Sequence, residues 1–200
     1  MTRLLRSFAL IASLLAIAGC AQADNGDTAL AYTLLDDSGS PLREDFNRAK
    51  GSVRLLFVVD PACPTCLRGL ADLNDALLAG TQDPRLQTFV VHVPVIGGTA
   101  QDIPPAAGLL QNPNVRHYWN ASGEFGRRLA PAVGLKRGDA FVYPWDVWMV
   151  YGPEAVWDAS SPPKPHRLMH QLPSVSGFAY LDSKVFAQDA QGLLAQLPKT

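Results

Sequence analysis

A buried strand followed at once by two closely spaced cysteines is the feature that most constrains this chain. Leu55 to Val59 is an unbroken apolar run, which predicts a strand covered on both faces. Residues 67–78 then place leucines along one stripe at helical spacing. Between the two lies Cys63-Pro-Thr-Cys66, and proline is favoured at the first position of a helix. The order of strand, dithiol and helix therefore places both cysteines in the first turn of a helix.

The two cysteines are predicted to have different roles. Cys63 falls at or near the N-cap, where unpaired backbone N–H groups and the helix dipole stabilise a thiolate. Cys66 lies one turn further in, within reach for a disulfide but more shielded. We therefore expect an exposed, reactive Cys63 and a buried, resolving Cys66, which together form a redox couple.

Two other uses of such a cysteine pair fit the sequence less well. A zinc site would need two further ligands at matching spacing, and no second CxxC is present. A purely structural disulfide between Cys63 and Cys66 would close a loop too short to remove much entropy from the unfolded chain.

The first 19 residues predict a bacterial lipoprotein signal peptide. Two arginines precede the apolar run 8–18, which is too short to span a membrane comfortably. The run ends in Ile17-Ala-Gly-Cys20, which resembles a lipobox, and this resemblance implies that Cys20 is acylated and becomes the first mature residue. The alternative is an ordinary signal peptide that is cleaved after Ala21 or Ala23.

The rest of the chain predicts a tether over residues 20–28 and one domain over residues 29–200. We expect this domain to lie outside the cytoplasm, anchored by lipid to a membrane of the cell envelope. If there are two membranes, the lack of Asp after Cys20 favours the outer one. The formal charge of −1 gives no reason to expect a nucleic-acid partner.

The strand–CxxC–helix order resembles the thioredoxin fold, and more narrowly the TlpA-type envelope thioredoxins. A segment Val133-Gly-Leu135 after a helix and a hairpin after residue 142 extend the resemblance, which covers residues 30–197. It implies an α/β three-layer sandwich with a central mixed β-sheet flanked by helices. It also implies thiol–disulfide exchange without a cofactor, on envelope proteins that carry thiols or disulfides.

Two further site residues are predicted through this resemblance. Thioredoxin-like folds open the strand that faces the dithiol with a cis-proline, and Pro144 fits that position. A cis bond after Tyr143 would present its backbone to an extended substrate. Thioredoxin also buries an Asp where this chain has Phe57, so we expect Asp146 on the neighbouring strand to approach Cys66 as its proton acceptor, without affecting attack by Cys63. An ion pair with a nearby Arg or Lys is the alternative for Asp146.

Outside the site, the patterns predict further elements. His92 is expected to be packed, and Ala62 replaces the Trp that often precedes the first cysteine. The candidates for substrate contact are then three other tryptophans: Trp119, Trp145 and Trp148. We expect at least two of these to pack in the core instead. The predicted strands are 29–35, 86–93, 115–119, 142–151 and 154–157, and the predicted helices are 106–111, 124–130 and 183–197, the last capped by Asp182.

A second class of function stays open from the sequence. Cys63, Cys66 and a histidine could hold copper for delivery, because soft thiolates suit Cu(I). Copper chaperones of this fold separate their cysteines by three residues, whereas this chain separates them by two.

Overall fold

The computed structural model describes residues 32–159 and 161–199. Its strands are β1 (Tyr32–Leu34), β2 (Val53–Val59), β3 (Leu86–His92), β4 (Val115–Trp119), β5 (Lys136–Arg137), β6 (Ala140–Phe141), β7 (Val147–Tyr151), β8 (Arg167–His170) and β9 (Ala179–Tyr180). Its α-helices are α1 (Ser40–Arg48), α2 (Pro64–Leu73), α3 (Ile103–Ala107), α4 (Glu124–Val133) and α5 (Ser183–Ala195).

Seven of the strands form one mixed sheet in the order β1–β4–β3–β2–β7–β8–β9, and β5 pairs with β6 in a separate hairpin. At the centre, β2 runs parallel to β3 and antiparallel to β7. All seven residues of β2 are buried, as its unbroken apolar run predicts. The strand that leads into the dithiol is thus the middle of the sheet.

Helices cover both faces of this sheet. Helices α1 and α4 pack on one face through residues such as Phe46 and Phe125. Helices α2 and α5 pack on the other through residues such as Leu70 and Phe186. Side chains along β2 alternate between the two clusters, because successive residues of a strand point to opposite faces. The predicted α/β three-layer sandwich is confirmed by this architecture.

Helix α2 begins and ends as its sequence leads one to expect. Pro64 occupies its first turn, and the helix continues beyond Leu73 as a π-helical turn over Asn74–Leu78. At the other end of the chain, the carboxylate of Asp182 accepts hydrogen bonds from the N–H groups of Lys184 and Val185 at 3.0 and 3.1 Å. The predicted cap of the last helix is confirmed.

The prediction of a strand over residues 154–157 is wrong, and β8 pairs with β7 instead. In this segment side chains from distant parts of the chain satisfy the backbone instead. The buried guanidinium of Arg54 donates to the carbonyl of Ala155 at 2.8 Å. Asn47 accepts from the N–H of Trp157 and donates to its carbonyl, both at 2.8 Å. Because those groups are already paired, no strand forms there.

Other boundaries shift by a few residues. The short helix expected over 106–111 lies earlier, as a 3₁₀ turn over Ala100–Asp102 followed by α3. The predicted signal peptide, Cys20, the tether and residues 29–31 lie outside the described residues. Within the described ranges, no helix is both long enough and apolar enough to cross a membrane.

Candidate active site

The N-terminus of α2 holds Cys63 where the sequence places it. Cys63 is the N-cap residue, with extended backbone angles, and its Sγ accepts a hydrogen bond from the N–H of Cys66 at 3.3 Å. The expected exposure of Cys63 is wrong, because only 2% of its surface is accessible. Its side chain belongs to the apolar cluster between α2 and the sheet, against which the half-buried Trp145 also packs.

Cys66 is fully buried, one turn inside the helix. Burial raises the pKa of the Cys66 thiol well above its ordinary value, and the nearby Asp146 adds to the rise. Cys66 therefore holds its proton at neutral pH. This is the behaviour that a resolving thiol needs, since it becomes a nucleophile only when a base removes that proton.

Asp146 lies beside the two cysteines. Its carboxylate and the sulfurs of Cys63 and Cys66 lie within 4.8 Å of one another, and Asp146 is 1% exposed. Burial raises the pKa of Asp146, while polar interactions with the side chains of Thr65, Cys66 and Trp148 oppose that rise. Among the described residues, no Arg or Lys forms a salt bridge with it. The geometry thus favours the predicted approach to Cys66 over the ion pair.

The backbone of Asp146 explains how the carboxylate reaches the dithiol. Asp146 has φ 53°, in the left-handed region that Asp and Asn tolerate better than most residues. Its carbonyl accepts from the N–H of Gln171 at 3.0 Å, and β7 begins one residue later. This bend shortens the strand predicted from residue 142.

Pro144 does not have the predicted cis bond, since no peptide bond within residues 32–159 and 161–199 is cis. The N–H of Trp145 donates to the carbonyl of Tyr143 at 3.0 Å, which closes a tight turn around Pro144. The hydroxyl of Tyr143 donates to the carbonyl of Gly123 at 2.6 Å. The expected presentation of the Tyr143 backbone to a substrate strand depended on the cis bond, and the trans bond removes that basis.

Thr65 is the first site residue that the sequence analysis missed. Its Oγ1 lies 3.0 Å from Cys63 Sγ and donates to Asp146 Oδ2, also at 3.0 Å. A hydroxyl inside the CxxC motif, two residues after Cys63, was the available signal.

Asp60 is the second. It is fully buried, and its carboxylate accepts from the N–H of Ala62 at 2.9 Å and from that of Ile96 at 2.7 Å. It thereby joins the segment that leads into the dithiol to the loop after β3. An acid directly after an apolar strand was the signal, because burying a carboxylate requires partners of this kind.

The remaining predictions near the site concern packing. Trp148 is fully buried and Trp119 is 8% exposed, so the expectation that at least two tryptophans belong to the core is confirmed. His92 is also fully buried, and its Nε2 lies 3.1 Å from Nδ1 of His117.

The cluster of Cys63, Cys66 and Asp146 has the composition of a possible metal site. Two sulfurs and a carboxylate oxygen could bind a thiophilic ion. The third ligand predicted for copper was a histidine. Within the part of the chain that the structure describes, no histidine joins this group.

No protein-family profile and no curated protein matches this chain. Solved structures resemble it at low identity. A secreted Mycobacterium tuberculosis disulfide oxidoreductase homologous to E. coli DsbE is 13% identical, with 73% of this chain and 85% of that one covered and a TM-score of 0.46. A thiol:disulfide interchange protein of the thioredoxin family from Chlorobium tepidum TLS is 12% identical, with 74% and 83% covered and a TM-score of 0.45.

Copper-bound ScoI of Arabidopsis thaliana is also similar, with 12% identity, 74% and 87% covered, and a TM-score of 0.48. At these identities and TM-scores the likenesses identify neither a family nor an activity.

Proposed function

We propose that this protein is a thiol–disulfide oxidoreductase in which Cys63 exchanges disulfides and Cys66 resolves them. The observation that carries the proposal is the position of the two thiols. Cys63 caps a helix and accepts a backbone N–H, whereas Cys66 is held protonated beside a buried carboxylate. One thiol is arranged to carry negative charge and the other to release its proton only when it is needed.

The exchange proceeds in two steps that balance. The Cys63 thiolate attacks one sulfur of a partner's disulfide, which forms a mixed disulfide and releases the partner's other sulfur as a thiolate. Cys66 then gives its proton to Asp146 and attacks the Cys63 sulfur. This second step breaks the mixed disulfide, releases the partner's second sulfur as a thiolate and leaves a Cys63–Cys66 disulfide. The same steps in reverse oxidise a partner's dithiol.

A trap variant tests this proposal. Reduced protein carrying Cys66→Ser should accumulate a mixed disulfide with a disulfide-bearing polypeptide such as insulin, because nothing resolves it. Cys63→Ser should form none, and the unaltered protein should form it only transiently. Non-reducing electrophoresis and mass spectrometry measure the adduct. An adduct that forms on Cys66 in the Cys63→Ser variant would reverse the assigned roles.

The proposed setting is the cell envelope, with lipid on Cys20 as the membrane anchor and thiol- or disulfide-bearing envelope proteins as partners. The support is the lipobox-like Ile17-Ala-Gly-Cys20. Cys20→Ala should abolish acylation and move the protein from the membrane fraction to the soluble fraction. An unaltered chain that carries no lipid and begins after residue 21 would contradict the anchor.

Metal binding is the second candidate, because Cys63, Cys66 and Asp146 lie close enough to share one ion. The two thiolates would favour Cu(I), and the carboxylate would complete a three-ligand set. Protein purified under reducing conditions should then contain about one copper per chain, and Asp146→Asn should weaken its retention. Protein that contains no metal and still exchanges disulfides would refute the metal-binding function and support the oxidoreductase.

A further inference from the structure

The loop that follows β3 is held against the dithiol segment by one buried side chain. On the dithiol side, the carboxylate of Asp60 accepts from the N–H of Ala62 at 2.9 Å, and its carbonyl accepts from the N–H of Cys63 at 3.1 Å. On the loop side, the same carboxylate accepts from the N–H groups of Ile96 and Gly98 at 2.7 and 3.4 Å. A single residue thus fixes both the turn that ends at Cys63 and the loop beside it.

The close approach of this loop depends on Gly98. A Cβ atom at this position would lie 2.2 Å from Oδ1 of Asp60 and 2.8 Å from Cδ of Pro61, which is too close for either contact. The next residue, Thr99, is fixed by a capping box with Asp102 at the start of the 3₁₀ turn. Any residue with a Cβ in place of Gly98 would therefore push the loop away from the segment that leads into the dithiol.

The anchored loop presents two large apolar side chains to solvent. Ile96 is 52% exposed and Val95 is 38% exposed. Val95 also lines a groove of about 300 Å³, together with Tyr143 and residues near the start of α4. A partner that covers these side chains would gain the free energy of burying them, and a loop that is already fixed would lose little entropy on binding.

Access to Cys63 passes beside this surface. Only 2% of Cys63 is accessible, so a partner's disulfide reaches its sulfur only when the partner packs closely around it. The neighbouring Ala62 is exposed but small, and one carboxylate group separates its backbone from that of Ile96. The residue next to the partner's reacting cysteine is therefore brought to the loop whenever exchange takes place.

The segments on both sides of this access route are uncharged. Neither residues 61–67 nor residues 93–101 include a Lys, Arg, Asp or Glu. Arg127, which lines the groove beside Val95, is already paired with Glu124 at 2.9 Å. A charged side chain of a partner would lose water here without gaining an opposite charge on either segment, whereas an apolar side chain would gain from burial.

We propose that Ile96, with Val95, is a specificity-determining contact that selects partners with an apolar, uncharged residue beside the reacting cysteine. Asp60 is the positioning residue that holds this contact next to Cys63. Exchange itself is unchanged: the Cys63 thiolate attacks one sulfur of the partner's disulfide, and the other sulfur leaves as a thiolate. The inference rests on the proposed oxidoreductase function and names the chemistry of its partners.

The test compares two uncharged peptides, each linked to a second copy of itself by a disulfide. Leucine flanks the cysteine on both sides in one peptide, and serine does so in the other. Reduced Cys66→Ser protein is the parent, because its reaction stops at the mixed disulfide, which mass spectrometry quantifies. Each rate constant is divided by that of the same peptide with glutathione, which removes intrinsic differences between the peptides. The leucine peptide should react about tenfold faster in the parent, as expected for burying one large apolar side chain.

The variants are judged by the ratio of the two rates, because a general disturbance of the fold slows both peptides alike. Ile96→Ser should bring the ratio close to one. Val156→Ser is the matched control, since this side chain is 50% exposed in the segment after β7. Asp60→Asn and Gly98→Ala should each lower the ratio by displacing the loop, although Ile96 is intact. Gly80→Ala is the control for the second of these, since a Cβ there meets nothing closer than 3.8 Å.

Equal rates for the two peptides in the parent, or a preference that survives Ile96→Ser, would overturn the specificity contact. An unchanged ratio in both Asp60→Asn and Gly98→Ala would overturn the positioning role. These results differ from a failure of the proposed function. A parent that forms no mixed disulfide with either peptide or with insulin would refute the function and this inference with it, whereas a parent that reacts equally with both peptides would refute the selectivity alone.

Discussion

Among single residues, Asp146 combines two features that are each unfavourable for folding. Its backbone is left-handed at φ 53°, and its carboxyl group is buried, with one oxygen that has no hydrogen-bond partner among the described residues. Burial raises the pKa of Asp146 above its usual range. Protonated Asp146 therefore contributes stability that is fully present below the ordinary pKa of an aspartate. That contribution is lost as the pH rises through the raised pKa of Asp146 in the folded protein.

Replacing Asp146 with Asn should accordingly stabilise the protein at neutral pH. Asn keeps the tolerance for left-handed backbone but is neutral, so the free energy of unfolding should rise by on the order of 1 kcal/mol at pH 7. The difference should vanish in strong acid, where the Asp of the parent protein is protonated in both states. Urea denaturation at the two pH values measures it. A less stable Asn variant at neutral pH would show that the charged form is favoured in the fold.

At the scale of elements, β3 and β4 are joined by more than their backbone ladder. His92 and His117 lie on the same face of these strands, with their rings nearly parallel and 5.4 Å apart. Burial, with a smaller contribution from the neighbouring imidazole of His117, lowers the pKa of His92 to about 3, and burial lowers the pKa of His117 to about 4. Both rings are thus neutral in the folded protein well into the acid range.

This pair should make the protein acid-sensitive. Unfolding frees both histidines to bind protons below their ordinary pKa of about 6.5. Stability is fully present above that value and is lost as pH falls towards the lowered values, by up to about 1.4 kcal/mol per pH unit for each ring. The double variant His92→Gln, His117→Gln should flatten this slope, as measured by urea denaturation between neutral and mildly acidic pH. The exposed His166→Gln is the matched control, and an equally flattened slope there would contradict the assignment.

In the whole molecule, Arg54 joins three parts of the fold. Its guanidinium is fully buried and lies 4.4 Å from the centre of the Phe46 ring. It donates to five backbone carbonyls, which belong to α1, to the turn before β2 and to the segment after β7: Phe46, Ser52, Gly152, Pro153 and Ala155. Burial lowers the pKa of Arg54 to about 10, so the group stays charged at neutral pH.

Replacing Arg54 with Met should destabilise the protein by about 3 kcal/mol, because five backbone carbonyls in buried or partly buried positions would lose their donor. Arg54→Lys should recover only part of that loss, since one ammonium cannot span the same carbonyls. The midpoint of urea denaturation measures both. The exposed Arg68→Met is the control. A midpoint that shifts equally in the two Met variants would mean that the buried network adds little.

The sequence predicted those structural features that depend on residues close to one another along the chain. The strand β2, the helix start at Pro64 and the capping role of Cys63 follow from residues within one segment. The approach of Asp146 to Cys66 was predicted from the expected pairing of the two strands, but the left-handed bend that brings its carboxylate to the dithiol was not. The trans bond before Pro144 was missed, because it accompanies a turn that the Trp145 N–H closes onto the Tyr143 carbonyl, while the Tyr143 hydroxyl donates to Gly123 of a distant segment. The absent strand at 154–157 was missed for the same reason, because its backbone partners come from Arg54 and Asn47.

The burial of Cys63 also bears on how long the dithiol survives outside a reducing compartment. Peroxides oxidise a thiolate first to a sulfenic acid and then irreversibly to higher acids, and exposure sets how fast they reach it. Here 2% of Cys63 is accessible, and Cys66 stands within disulfide range behind it. A sulfenic acid on Cys63 would condense with Cys66 before a second peroxide arrived. Oxidation by peroxide would then end in the same Cys63–Cys66 disulfide that exchange with a partner produces. A reductant could convert this disulfide back to the dithiol.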